Sequence, residues 1–330
     1  MSKVFQRAFE LMGMKIELIS NWEPVIRDDE YFMGQGGELH SLLSNFNSFR
    51  ELPQISGADF IFELRDDADA AGFSLTSEGA AYILTGPVKD CEKSAGDKRA
   101  AIFGNMGFFS KVAVKELENR GIYSFHSTSF CSPEANRLFL VLGGSGAGKS
   151  SVLLKAQTED LPVFGTELTH FKITEGKLEM LMGSLWQNCR MGNLVVDFPE
   201  LLERYGIEYT GEGDPWYQYK SVDMSRWRAG RDMMNDPEIV IIFPRIESER
   251  SHAVINRCST EKIDYSLYSN LADKVSPPSM LYKRFFIPSV DDGEAQKKRM
   301  KAAQEFKKAA NITECWEVLA NSKQCLNGII

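Results

Sequence analysis

Eight consecutive residues, Gly143-Gly144-Ser145-Gly146-Ala147-Gly148-Lys149-Ser150, satisfy the pattern G-x-x-x-x-G-K-[ST] at every defined position. Each residue type has a chemical task in that pattern. Glycines let the backbone turn tightly enough for successive N–H groups to point inward at phosphate oxygens. A helix starting near Gly148 adds the partial positive charge of its N-terminus. Lys149 supplies a full charge to the β- and γ-phosphates, and Ser150 offers a hydroxyl to Mg²⁺. Ser151 is grouped with the loop as a nucleotide contact. The pattern predicts a nucleoside triphosphate ligand but does not name the reaction.

Other residues must supply that choice. His126 sits in Tyr123-Ser124-Phe125-His126-Ser127-Thr128. Strand alternation there puts Ser124, His126 and Thr128 on one face, and an imidazole titrates near neutral pH. Thr166-Glu167 closes the apolar stretch Leu161–Gly165. A carboxylate at such a strand end can hold Mg²⁺ directly or through water. Leu194-Val195-Val196-Asp197 reads as a second apolar strand ending in an acid, which makes Asp197 a rival for the metal. Arg190, Arg228, Arg231 and Arg245 are cations available to neutralise a transferring phosphoryl group. For each of these residues a surface or capping role is the ordinary alternative.

The elements that must position these residues follow from pattern. Leu138–Leu142 is a fully apolar strand, and the glycine loop leads from it into a helix over Ser151–Gln157. Ile122–Phe130 alternates as a strand and turns through Ser132–Asn136. A helix is expected at Phe108–Asn119, stopped by Gly121. Further upstream, Asp59–Arg65, Phe73–Ser77 and Ala80–Thr85 read as strands. Lys89–Lys98 reads as a polar loop, and residues 1–58 as short helical stretches broken by turns such as Gly34-Gln35-Gly36-Gly37. The opening MSKVFQRAFELMGM suggests an amphipathic helix with Val4, Phe5, Phe9 and Met12 on one face. Near the other end, Met300, Ala303 and Phe306 mark the inner face of a helix whose basic run Lys297–Lys301 faces solvent. Gly213–Tyr219 reads as an aromatic loop, either packed or serving as a lid.

Composition sets the limits. The chain has 330 residues, 43% hydrophobic and 25% charged, and a formal charge of −8. That charge argues against sequence-independent nucleic-acid binding. No apolar run approaches the roughly 18 residues of a membrane span, and no signal-peptide pattern opens the chain. Six scattered cysteines without a CxxC pair suggest reduced thiols and a cytoplasmic setting.

Three segments together resemble the HPr kinase/phosphorylase-like family, within the phosphoenolpyruvate carboxykinase-related group. They are Arg120–Ser127 with its histidine, Leu140–Ser150 with the loop, and Phe164–Glu167 with its terminal acid. The likeness covers about Phe108–Glu167, and Trp227–Asp232 is similar to an Arg-x-Gly-Arg segment of that family. The resemblance implies an α/β fold with a P-loop kinase core over 106–330. An N-terminal, mainly β accessory region would occupy 1–105. It also implies ATP- and Mg²⁺-dependent phosphorylation of a hydroxyl, such as a serine of a peptide or protein. Its site would use His126, Glu167, Arg228 and Arg231, with Ser150 and Glu167 at the metal. A homo-oligomer is compatible with it. The family carries two acids where this chain has Thr166-Glu167, and a threonine is no general base near neutral pH. The base is therefore His126 or Glu167. A P-loop ATPase, or a nucleotide-binding switch or interaction protein without phosphotransfer, is the alternative.

Overall fold

A computed structural model describes residues 4–27, 46–47, 49–53, 56–94, 102–103, 107–276, 279–280 and 285–330. The chain is mixed α/β and divides into two compact units. The first takes in the described residues up to Arg120 together with 274–295, and the second takes in 121–273 and 296–330. The turn-rich stretch around Gly34–Gly37 lies outside the described residues.

The first unit opens with β1 (Phe5–Leu11) and β2 (Met14–Ser20), which pair antiparallel. A helix is expected here from sequence, and the structure corrects it. Phe9, Leu11, Met14, Ile16 and Leu18 are all buried, a period of two rather than 3.6. Met12 and Gly13 both take positive φ, 49° and 81°, which is the two-residue hairpin geometry that twists with its strands. After α1 (Glu23–Arg27) come β3 (Phe49–Leu52), β4 (Phe60–Asp66), β5 (Ser74–Glu78) and β6 (Ala81–Gly86). The last three agree with the strands expected at 59–65, 73–77 and 80–85. The sheet order is β3-β1-β2-β4-β6-β5.

Where a polar loop is expected from Lys89, the chain forms α2 (Val88–Ser94). Val88 and Cys91, one turn apart, are both fully buried, and that anchors the turn. Residues 95–98 lie outside the described part. Helix α3 (Phe108–Asn119) has the expected bounds and packs Phe108 and Phe109 around Phe62, with ring centroids at 5.8 and 5.3 Å.

The second unit carries β7 (Ile122–Cys131), β8 (Arg137–Leu142), α4 (Lys149–Thr158) and β9 (Val163–Gly165). It continues through β10 (Leu168–Thr174), β11 (Lys177–Leu181), β12 (Trp186–Arg190), α5 (Glu200–Tyr205), β13 (Tyr219–Asp223), β14 (Met233–Asn235), β15 (Glu238–Ile246), β16 (Val254–Arg257) and α6 (Thr260–Asp273). The chain then returns to the first unit with β17 (Ser279–Met280) and β18 (Phe286–Ile287). Helix α7 (Gly293–Ala309) and β19 (Asn311–Ala320) follow.

The main sheet runs β14-β11-β10-β7-β8-β15-β19-β16, with β9 also paired to β7. Strand β8 lies between antiparallel β7 and parallel β15, and every residue from Leu138 to Leu142 is buried. Burial of each such side chain contributes about 1.5–3 kcal/mol, so the phosphate-loop sequence hangs from one of the most secured strands. In α7, Ala303 and Phe306 are buried as expected. Met300 is 48% exposed, and Arg299 of the basic run is fully buried, so that run is not wholly a solvated face. Among the described residues no helix is long and apolar enough to cross a membrane.

Candidate functional site

The loop leaves β8 at Gly143 and enters α4 at Lys149. Gly148, with φ of 101°, is the N-cap and gives the helix no side-chain cap. The start of a ten-residue helix carries a partial positive charge. Only glycine fits at 148, because a Cβ there would lie 2.2 Å from Ile246 Cγ1. Ile246 ends β15, and its N–H donates to Ala147 O at 3.2 Å. The loop is thus keyed to the neighbouring parallel strand.

Lys149 does not project into open solvent. It is 8% exposed, and its Nζ donates to Gly143 O at 2.6 Å and Gly144 O at 3.2 Å. It spans the loop and places a positive charge against its own first carbonyls. The Ser150 Oγ accepts a hydrogen bond from Gln187 Nε2 at 3.2 Å. Gln187, from β12, is fully buried. Ser151 Oγ accepts from Asn193 Nδ2 at 3.4 Å.

Two strands, β7 and β9, and the helix α6 assemble the second part of the site. Strand β7 carries Ser124, His126 and Thr128 on one face, as its alternation dictates. Thr128 Oγ1 donates to Lys149 O at 3.3 Å, tying β7 to the helix start. His126 Nδ1 bonds to the Asp273 carboxylate, while its Nε2 lies 3.6 Å from Glu167 Oε2. An ionised carboxylate only accepts, so Nδ1 carries the proton in that bond. This leaves Nε2 on the Glu167 side. Glu167 follows β9, and its backbone oxygen accepts from Ser127 N at 3.2 Å. On α6, Asn270 stands one turn before Asp273, and its Oδ1 accepts the Gly143 N–H at 3.2 Å. Residues three apart share a helix face, so one face of α6 touches both the loop and the histidine.

Thr166 is buried, and its hydroxyl hydrogen-bonds the carbonyls of Ser184 at 3.0 Å and Trp186 at 2.7 Å. It therefore secures β9 to the segment leading into β12. Asp197 does not end a strand, as the sequence suggests; Asn193–Asp197 forms a π-helical turn. Within it Asn193 Nδ2 donates to Asp197 Oδ2 at 2.9 Å, closing the turn on itself.

The four arginines separate. Arg245 lies between Pro244 and Ile246, both beside the loop, and its exposed side chain pairs with Glu247 at 3.0 Å. Arg190 is on β12 and hydrogen-bonds Tyr219 Oη at 2.8 Å. Arg228 pairs with Asp232, and its backbone bridges Val163 at the start of β9. Arg231 donates to Asn136 Oδ1 at 3.2 Å and Ala135 O at 3.3 Å. That turn precedes β8, whereas the phosphate loop follows it, so the structure does not bring Arg231 to the loop. In the aromatic loop Trp216 packs over Gly192, while Tyr217 is 84% exposed.

Sequence reasoning missed Asp273, Asn270, Gln187 and Asn193, each of which touches a residue it had singled out. The available signal was the pair Asn270-x-x-Asp273 at a helix end, where both side chains must share a face.

Among the described residues no group of three or more His, Cys, Asp or Glu side chains is arranged to hold a metal ion. Comparison of the chain with protein-family models and with curated proteins gives no match.

Proposed function

We propose that this chain is an ATP- and Mg²⁺-dependent phosphotransferase of the HPr kinase/phosphorylase-like type, acting on a hydroxyl acceptor. The observation that carries this reading is the meeting of His126, Asp273 and Glu167 beside the phosphate loop, fastened by the bonds Asn270–Gly143 and Thr128–Lys149. A loop that only stored nucleotide would have no use for an imidazole held between two carboxylates.

The features that support a nucleotide and its metal are local to the loop. The uncapped start of α4, the Lys149 ammonium and the crowded Gly148 are the features of a phosphate cradle. Ser150 and Glu167 would hold Mg²⁺, with Gln187 fixing the Ser150 hydroxyl. Bound Mg²⁺ would draw charge from the β- and γ-phosphates and so favour transfer. Lys149 would exchange its two loop carbonyls for phosphate oxygens. Arg245, exposed at the loop's edge, is the arginine best placed to add charge.

Asp273 orients His126 and holds the proton on Nδ1. Nε2 is then free to take the proton of the acceptor hydroxyl, and Glu167 stabilises the resulting imidazolium. Thr166 has no part in that step, because its hydroxyl is engaged with Ser184 and Trp186. That same engagement favours a second reading, an ATPase or nucleotide-dependent switch in which the acceptor is water or nothing. Incubation with γ-labelled ATP and serine-containing peptides or proteins separates the two. Label on the acceptor is expected; label only in inorganic phosphate selects the ATPase, and no turnover by protein that binds ATP selects the switch.

A further inference from the structure

Two thiols face each other at the end of the strand pair β16–β19. The antiparallel register sets Arg257 opposite Trp316. The next pair outward is Cys258 and Cys315, joined by a backbone hydrogen bond from Cys258 N to Cys315 O at 3.0 Å. Each thiol lies close enough to shift the other's titration. Opposed residues in an antiparallel pair hold their Cα atoms about 4.5–5.5 Å apart. A disulfide spans about 4.4–6.8 Å, so closing one here needs little backbone movement.

The two thiols are not equivalent. Burial pushes both up from the ordinary thiol value, and further at the more deeply buried Cys315, where the neighbouring Cys258 adds to the rise. At Cys258 the nearby Cys315 offsets part of the effect of burial. Cys258 is also partly open to solvent, whereas Cys315 is buried. An oxidant therefore meets Cys258 first, and Cys315 stands ready to resolve it.

We propose that Cys258 and Cys315 form a reversible disulfide that ties the start of α6 to β19. Cys258 lies two residues before Thr260, where α6 begins, and α6 ends in Asn270 and Asp273 at the phosphate loop. The oxidant is a peroxide. Cys258 sulfur attacks it, the O–O bond breaks, and Cys258 becomes a sulfenic acid as one water leaves with the thiol proton. Cys315 sulfur then attacks Cys258 sulfur, the S–O bond breaks, and the Cys315 proton departs in a second water. Two thiols and one peroxide give one disulfide and two waters. A dithiol reverses the change by exchange.

The disulfide does not rest on the function proposed above. The test treats the full chain with hydrogen peroxide, maps peptides without reduction, and follows amide exchange. A Cys258–Cys315 linked peptide is expected, lost on adding dithiothreitol and never formed by Cys258→Ser. Exchange in the first turns of α6 should slow about tenfold, and the thermal midpoint should rise by roughly 5 °C. In Cys315→Ser, a sulfenic acid that dimedone can trap should persist on Cys258. Sulfinic acid on Cys258 in the parent, with Cys315 still open to alkylation, would overturn the proposal. Binding of MgATP is measured on the same samples. A parent that binds it in neither redox state refutes the nucleotide reading and leaves the disulfide standing.

Discussion

The two units bury different things. The first packs Phe9, Phe60, Phe62, Phe103, Phe108 and Phe109 into an aromatic core under its six-stranded sheet. The second is also apolar at β8 and β15, but along β7 it buries Ser124, His126, Ser127, Thr128 and Ser129 in succession. These polar groups are not idle. Ser124 meets His170 at 2.7 Å, and Ser127 and Ser129 both meet Thr169, at 2.8 and 2.7 Å. A buried polar group costs about 1–3 kcal/mol when it loses its partner, so such a run persists only where the network is nearly complete. The first unit thus coheres through aromatic packing, whereas the second gives up apolar burial along β7 for a buried polar network.

Substitutions can break that contrast. The largest effect is expected from His126→Ala, which should lower turnover by about 10²–10⁴-fold while ATP affinity changes by less than about tenfold. Asp273→Asn should reproduce most of that loss, because it removes the carboxylate charge and lets an amide N–H donate to Nδ1, which moves the proton to Nε2. Turnover and calorimetric affinity on one folded preparation decide it; unchanged turnover would make the histidine structural. In the first unit, Phe62→Ala should cost about 3–5 kcal/mol of stability by denaturant titration and leave the affinity of the folded fraction for ATP unchanged. A large loss of affinity there would erase the division of labour.

Two smaller effects sharpen the comparison. Lys149→Met should weaken MgATP binding by roughly 10²-fold, as expected for one lost charge-assisted contact. Since Lys149 also bridges Gly143 and Gly144, the same variant should speed amide exchange in the loop. Equal affinity in variant and parent would remove the phosphate-loop assignment. The smallest effect concerns Asp59, whose carboxyl is held below its ordinary value mainly by the Lys15 N–H at 2.7 Å, with Arg120 at 3.1 Å. A lowered folded-state value contributes stability above the unfolded carboxyl range, lost as pH falls through the folded one. Asp59→Asn should therefore cost a little near pH 7 and progressively less as pH falls from the ordinary carboxyl value through the lowered folded one. A gap that stays constant over that range would contradict the assignment. Asp59 is largely exposed, so the gap is small.

How much of this was written in the sequence depends on range. The strand Leu138–Leu142, the loop and the helix after it are contiguous, and so is α3, whose Gly121 stop marks its end; all were legible. The polar face of β7 was legible because alternation is a local rule. The opening hairpin was misread because Val4, Phe5, Phe9 and Met12 mimic a helical stripe. The decisive alternation, Phe9, Leu11, then Met14, Ile16, Leu18, shifts phase at the Met12-Gly13 turn. Asp197 was misread because a short apolar run does not distinguish a strand from a helical turn. The pairings Asp273 with His126 and Gln187 with Ser150 could not be read, since each forms only through the tertiary fold. His126 and Asp273 are separated by the whole of β8 to α6 in the chain.

The keying of Gly148 to Ile246 bears on how the protein is made. Strand β15 is paired on one side by β8 and on the other by β19, and Glu247 N, just past Ile246, donates to Ala320 O at 2.9 Å. The glycine loop therefore leans on a strand whose second neighbour is synthesised much later. At about 5–20 residues per second, β19 follows the loop by roughly 10–30 s. Through that interval the ribosome carries a loop whose supporting strand still has an open, apolar edge, the kind of surface that chaperones shield. Completion of the site is thus a late event in biosynthesis, although its signature motif emerges before the middle of the chain.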